Sequence, residues 1–551
     1  MMRLTWVAFL MLMLGCVGAA ERLTVRGACF RVRCPDDPGS ATLLLHNPGA
    51  QPVQIDQVLM DASPLPVFGV REGLQAPQKD GDEALASAGR IYWARLDPNP
   101  IPPGRSGLLY VQFRTRPPYA FGLRLNCGAA PAAACKLFPI DNPVRITNIA
   151  FPRDCRKCLV HVENASRSTT ERLKAVELND ADVTAQAWIS SRDLPPGAHV
   201  LIVISSPALK PASFARVLLS FDSGRAVAEE VRALPVFPIA LEHGGPAPEL
   251  GITEAVREYP TDLALDAPPP PAVCCLRIFS CPAHAKGNDW QGVAAEALRR
   301  RAEAQKSLPS SATFLATCRA RAELACPAFA HIGDFGHLNP FLPQYSRSTP
   351  PQPLDAIFRA MAMLRAANAP DPVFALLPDH SFGDEKTPAR PEELSRLVHA
   401  AVACGARGLL YRLNPTGLGK DQAQCLAGFH RKLRRLEPLL LLGEPTGWAS
   451  SSNPQVQAKA LMAGTDGLLL FLLNQGDKQG RITPAGPAEV TVQLPDWFPA
   501  VRLTPDGDPI DGSIEVEARR IRVRLKTLSV ASILVFRADT SVPPPGRNDP
   551  P

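Results

Sequence analysis

Two hydrophobic rhythms divide this chain. Through the first 240 residues strand-length segments recur, Ala41–His46 and Pro52–Leu59 among them, and apolar and polar positions alternate with period two around Ser106–Phe113 and Cys158–Glu163. Val200–Ile204 and Ala215–Phe221 are strand-length apolar runs. Turn residues separate them, including Asn47-Pro48-Gly49 and Pro195-Pro196-Gly197. A period of two puts neighbouring side chains on opposite faces of a strand. Short strands broken by Pro and Gly turns therefore predict β-sandwiches, one over 21–143 and one over 144–240.

Residues 241–272 are rich in Gly and Pro, end in the run Pro268–Pro271, and read as a linker. From Val273 the rhythm changes. Cys274–Ser280, Ala312–Cys318 and Ala328–Asp334 read as strands and Trp290–Gln305 as a helix. Leu354, Ile357, Met361 and Leu364 recur at helical spacing. The clearest segment runs from Pro372 to Asn414: the strand PVFALLP, a helix opening at Pro391-Glu392-Glu393 and stopping at Gly405, then the strand GLLYR. Alternation of strand and helix predicts a parallel sheet, here a shortened (β/α) barrel over 273–474. Alternation of strands returns afterwards and predicts a C-terminal β-sandwich over 475–540, with a disordered tail over 541–551. The fold class expected is therefore multidomain: two N-terminal β-sandwiches, a shortened TIM-like barrel and a C-terminal β-sandwich.

Composition narrows the function classes. The chain has 551 residues, too many for one core, and 58 prolines, about twice the usual share. The net charge is only +6 and the basic residues form no dense stripe, so nucleic acid is not expected as a partner. Residues 1–20 read as a signal peptide: Arg3, an apolar run Leu4–Leu14, then the small residues Val17-Gly18-Ala19-Ala20. Leu14-Gly15-Cys16 also partly resembles a lipobox, which leaves a lipid anchor at Cys16 as the rival reading. No later segment is apolar enough to span a membrane, so a secreted, periplasmic or cell-surface protein is expected. Cysteine usage agrees, because close pairs in an oxidising compartment are most simply local disulfides. The candidates are Cys29 with Cys34, Cys127 with Cys135, and Cys155 with Cys158.

Four segments resemble secreted glycoside hydrolases of the TIM-barrel type. Phe329-Ala-His-Ile-Gly-Asp-Phe-Gly-His-Leu-Asn-Pro340 resembles a barrel strand of the form YA-x-x-AD-x-x-x-x-DPY. Pro391-Glu-Glu-Leu with Cys404–Tyr411 resembles TPEELR…ALAHGAKGIFYF, and Leu436–Glu444 resembles the exit from the last barrel helix. Asp466–Asn474 and the strands after it resemble the appended sandwich. The resemblance covers 273–540, about half the chain, while the strand-Asn-Pro-Gly-strand pattern near the N-terminus resembles bacterial Ig-like modules. It implies a carbohydrate as the partner. The departures lie in the acids. The strand matching the family's Asp-Glu-Pro motif ends in Ser280-Cys281-Pro282-Ala283-His284, and Asn339 stands where the DPY aspartate belongs. Asparagine cannot exchange a proton at pH 7, so the resemblance implies a catalytically degenerate barrel.

Ligands of α/β folds bind at the carboxyl ends of the strands. The candidate acids there are Asp379, Asp334 and Glu444, with Asp379 the best general acid or base because His380 adjoins it. Asp379 reads also as a loop cap, and Glu444 as a structural carboxylate. His284, Asn339, Gln344, His380, Arg412 and Asn414 are the candidate sugar ligands. Cys281 and His284 offer two metal-ligand types, but no second such pair follows, so no metal or cofactor is expected. Three functions follow: a carbohydrate-binding, glycoside-hydrolase-like protein; an active hydrolase using Asp379 with Asp334 or Glu444; or an extracellular scaffold making protein contacts through its N-terminal sandwiches.

Overall fold

The computed structural model describes residues 23–541, apart from 33–36, 61–62, 70–90, 114–115, 117–120, 128–129, 138–141, 207–208, 212, 235, 243–246, 253, 259–272, 282–295, 303–313, 319–329, 334, 339–352, 379, 382–383, 414–416, 479–480 and 540. Residues 1–20, expected to be a signal peptide, thus lie outside the described residues, as does the tail from 542.

The first unit departs from the expected pair of facing sheets. Its eight described strands form one sheet, running from Thr24–Arg31 to Ala130–Leu137. The sheet curls until its ends meet, where Leu23 N–H donates to the Ala132 carbonyl at 3.1 Å. Phe30, Leu43, Val58, Leu109 and Phe113 fill the enclosed core. Ser106–Phe113 is buried at every position. Its second face, carrying Leu108 and Tyr110, joins the large core that the barrel helices also line. The second unit is a two-sheet sandwich. A four-stranded sheet containing Val144–Ala150 and Lys157–Asn164 faces a five-stranded one containing Phe214–Phe221, with Ile146, Val160, Ile202, Val217 and Leu219 between them.

The next strands close into a barrel: β1 (Ile239–Leu241), β2 (Glu254–Glu258), β3 (Val273–Cys281), β4 (Phe314–Cys318), β5 (Phe335–Leu338), β6 (Val373–Pro378) and β7 (Leu409–Arg412). Every pairing is parallel, and β1 closes the ring on β7 with Ala240 opposite Leu410. The region expected to be a linker thus supplies barrel strand β2, and β1 straddles the expected boundary between the second sandwich and that linker. Alternation sorts the residues cleanly. Val373, Ala375, Leu377, Leu409 and Tyr411 face the helices, whereas Ala240, Phe374, Leu376 and Leu410 form a separate plug in the lumen.

Helices pack outside: α1 (Pro353–Asn368), α2 (Pro391–Ala403) and α3 (Lys420–Leu440), with a helical stretch at 296–302, inside the expected Trp290–Gln305 helix, adding Ala297 and Leu298 to the same core. Helix α2 starts where Pro391 occupies the first turn and the Glu393 carboxylate accepts the Arg390 N–H at 2.9 Å. It stops at Gly405, whose φ of +84° is left-handed and whose hydrogen faces Pro445, 2.7 Å from where a Cβ would stand.

The C-terminal sandwich begins earlier than expected. Gly443–Thr446, Val456–Ala463 and Gly467–Asn474 lie in its five-stranded sheet, not in the barrel. Gly467–Asn474 is buried throughout. Leu468, Leu470 and Leu472 enter the sandwich core, while Leu469, Phe471 and Leu473 pack on the barrel helices. A strand buried on both faces reads like a central barrel strand, which explains the misplaced boundary.

Candidate functional site

Inward register continues past the lumen plug to the carboxyl rim of the barrel. Two residues beyond Ala240 stands Glu242, and two beyond Leu410 stands Arg412. The two side chains meet: Arg412 Nε and Nη2 donate to the Glu242 oxygens at 2.5 and 3.1 Å. The Glu242 side chain is fully buried, whereas that of Arg412 is 41% exposed. A planar guanidinium matched to both oxygens of one carboxylate is a stiff, charge-assisted contact. The mouth therefore presents a fixed ion pair above an apolar floor.

Arg412 is the one expected sugar ligand whose side chain is described at this rim. Asp379, Asp334, Asn339, Gln344, His284 and Asn414 lie outside the described residues. His380 is described only as backbone, in a two-residue strand pairing with Asp384–Pro388. Glu242 was missed in the sequence because it lies in a stretch that reads as linker. Its signal was the short apolar run Pro238-Ile-Ala-Leu ending in a carboxylate.

Glu444, expected as a mouth acid, stands at the other end of the barrel. Its Oε2 accepts from Asn148 Nδ2 of the second sandwich at 2.9 Å and from Arg365 Nη2, near the end of α1, at 2.7 Å. Arg407, which precedes β7, donates to the Leu440 carbonyl at the end of α3 at 2.9 Å. The ends of the helices mark the amino-terminal face of the barrel, where residues hold the fold together. Burial alone would raise the Glu444 carboxyl, but Arg365, His161 and Arg407 together hold it below its ordinary value. Glu444→Gln is expected to cost about 1–3 kcal/mol by weakening charged hydrogen bonds in a buried site, with mouth binding unchanged. A thermal melt paired with a binding titration checks both halves.

The cysteine expectations also need correction. Register puts Cys135 opposite Leu123 and Cys127 opposite Ala130. Cys127 and Cys135 are thus offset by four residues, roughly 13 Å along a strand, against the roughly 7 Å limit for a disulfide. Cys155 and Cys158 are buried free thiols, as is Cys29, and Cys34 lies outside the described residues. Burial pushes the Cys158 thiol up, and that of Cys135 up to about 11. Among the described residues no group of His, Cys, Asp and Glu could hold a metal ion, and no helix is long and apolar enough to cross a membrane.

No protein-family model matches the chain, and no curated protein matches it. Solved structures similar to it include a GH36 α-galactosidase from Geobacillus stearothermophilus in complex with raffinose (8% identity, TM-score 0.33, covering 94% of this chain and 88% of that one). Another is a Paenibacillus cycloisomaltooligosaccharide glucanotransferase complexed with cycloisomaltoheptaose (7% identity, TM-score 0.29, 71% and 99%). A third is α-L-fucosidase isoenzyme 2 from Paenibacillus thiaminolyticus (20% identity, TM-score 0.14), of which the chain spans only 18% while 21% of the chain is covered. At these scores the likenesses do not establish a shared fold, and function has to be read from the site itself.

Proposed function

We propose that this is a secreted carbohydrate-binding protein built on a shortened (β/α) TIM-type barrel, whose mouth holds a sugar without hydrolysing it. The observation that carries the reading is the Arg412–Glu242 pair on the inward register of the carboxyl rim. The exposed part of the Arg412 guanidinium offers a sugar oxygen a donor, the buried Glu242 carboxylate holds it in place, and that rigidity lowers the ordering cost of binding. Glycoside hydrolysis needs one carboxyl that gives a proton and a second that acts as base or nucleophile. Both Glu242 oxygens already accept from Arg412, which leaves neither poised to protonate a glycosidic oxygen.

The test is an array of neutral oligosaccharides, followed by titration of the best binder into the full chain and a reducing-end assay. Arg412→Lys keeps the charge but loses the fork, and is expected to weaken binding about tenfold, or ~1.4 kcal/mol. Unchanged affinity in this variant overturns the mouth as the site. Release of reducing ends overturns the non-hydrolytic reading in favour of hydrolysis by Asp379 with Asp334. Failure of every sugar to bind favours the scaffold.

A further inference from the structure

At the amino-terminal face of the barrel, a cleft of about 260 Å³ opens where the first unit, the second sandwich, the end of α1 and the start of the C-terminal sandwich converge. A smaller hollow of about 30 Å³ shares His199, Glu444 and Pro445 with it, so the two form one groove. The volume is slightly below the roughly 300–1,000 Å³ of drug-sized pockets, and suits a ligand of one or two small rings.

The lining carries three arginines and two glutamates, and the buried Glu229 behind it supplies the third carboxylate. Arg365 is bonded to Glu444, Arg31 to Glu229, and Arg145 lies opposite Glu163 in the strand register. An anion or a cation therefore meets little net field, whereas a neutral polyol meets donors and acceptors in adjacent pairs. The other end of the groove is aromatic. Trp448 and Trp497 line it, edge to face with ring centroids 6.0 Å apart, and Trp188 of the second sandwich reaches Trp497 at 6.4 Å. Apolar ring faces of sugars lie on such surfaces. Between the two ends is His161, 3% exposed, whose Nε2 has no hydrogen-bond partner. A buried nitrogen without a partner is unfavourable, and the small hollow beside it has room for a single hydroxyl or water.

We infer that this groove is a second binding site, for a neutral sugar, with the ion pairs and His161 taking ring hydroxyls and Trp448 and Trp497 taking the ring face. It is separate from the barrel mouth and does not rest on the reading of the mouth.

The experiment uses the full chain carrying Arg412→Lys, so that the mouth is weakened, and follows tryptophan fluorescence and heat during titration with glucose, galactose, maltotriose and galacturonate. A neutral sugar is expected to bind and to shift the fluorescence, with galacturonate at least tenfold weaker. Trp497→Ala and, separately, the rim variant Glu163→Gln are each expected to weaken the neutral sugar at least tenfold. Glu163→Gln keeps a side chain of the same shape at a partly exposed position, so it tests the site even where Trp497→Ala fails to fold. Absence of a neutral-sugar response, a preference for galacturonate, or wild-type affinity in Glu163→Gln overturns the inference.

Discussion

Lowering the pH from 7 to 5 is expected to strip roughly 4 kcal/mol from the barrel and roughly 2 from the second sandwich. Three buried histidines drive this. Burial lowers His161, His399 and His430 from 6.5 to about 4 each. Geometry agrees for the two on the barrel helices. In α3, His430 Nδ1 donates to the Leu250 carbonyl at 2.5 Å while Nε2 accepts from the Tyr411 hydroxyl at 2.7 Å. That arrangement is satisfied by the neutral ring, and a second proton would displace the Tyr411 donor. In α2, His399 Nδ1 donates to the Ser395 carbonyl at 2.6 Å, and its buried Nε2 has no partner to share an added charge.

The sign follows from which state takes up protons. Below pH 6.5 the unfolded chain protonates these rings, and the folded chain does not until about pH 4, so stability falls as pH falls through that window. Glu444, held below its ordinary value, adds a loss in the same direction at still lower pH. Per ring the loss is roughly 2 kcal/mol at pH 5 and roughly 3 at pH 4. Denaturant melts at pH 7 and pH 5 measure it. His399→Leu cannot take a proton, and its barrel transition should lose about 2 kcal/mol less over the same step. A transition midpoint that does not move between pH 7 and pH 5 would sink the prediction, as would an unchanged loss in His399→Leu.

How much of this was legible beforehand depends on the range of the interactions involved. The unit from Pro372 to Asn414 could be read residue by residue, because Pro391, Glu393 and Gly405 are local stop and start signals that act within one helix. Strand β1 is only three residues long, Ile239–Leu241, and the brief apolar run that marks it is too short to stand out from a linker. It becomes a strand because parallel partners on both sides supply its hydrogen bonds. Glu242 and the groove at the opposite face were invisible for the same reason, since both arise from segments far apart in sequence. Arg412 was found because it ends a strand that the sequence does mark. The mistaken pairing of Cys127 with Cys135 came from counting residues where the strand register decides.

Replacing the ring that fills the barrel lumen should have the other large effect. Phe374 is fully buried with Ala240, Leu376 and Leu410 in the plug, on which the rim pair of Glu242 and Arg412 stands. Phe374→Ala is expected to cost about 3–5 kcal/mol, the sum of lost transfer energy and an unfilled cavity. Gly408 explains why the ring fits: a Cβ there would lie 2.8 Å from the Phe374 ring atoms. Gly408→Val in the wild-type barrel should therefore overpack it by about 1–3 kcal/mol. In the Phe374→Ala background the same valine occupies the vacated space, so the double variant should be more stable than the sum of the two losses by about 1 kcal/mol or more. Additive losses in the double-mutant cycle would mean that the two positions do not share the lumen. The closed parallel barrel, and with it the mouth above the plug, would then have to be given up.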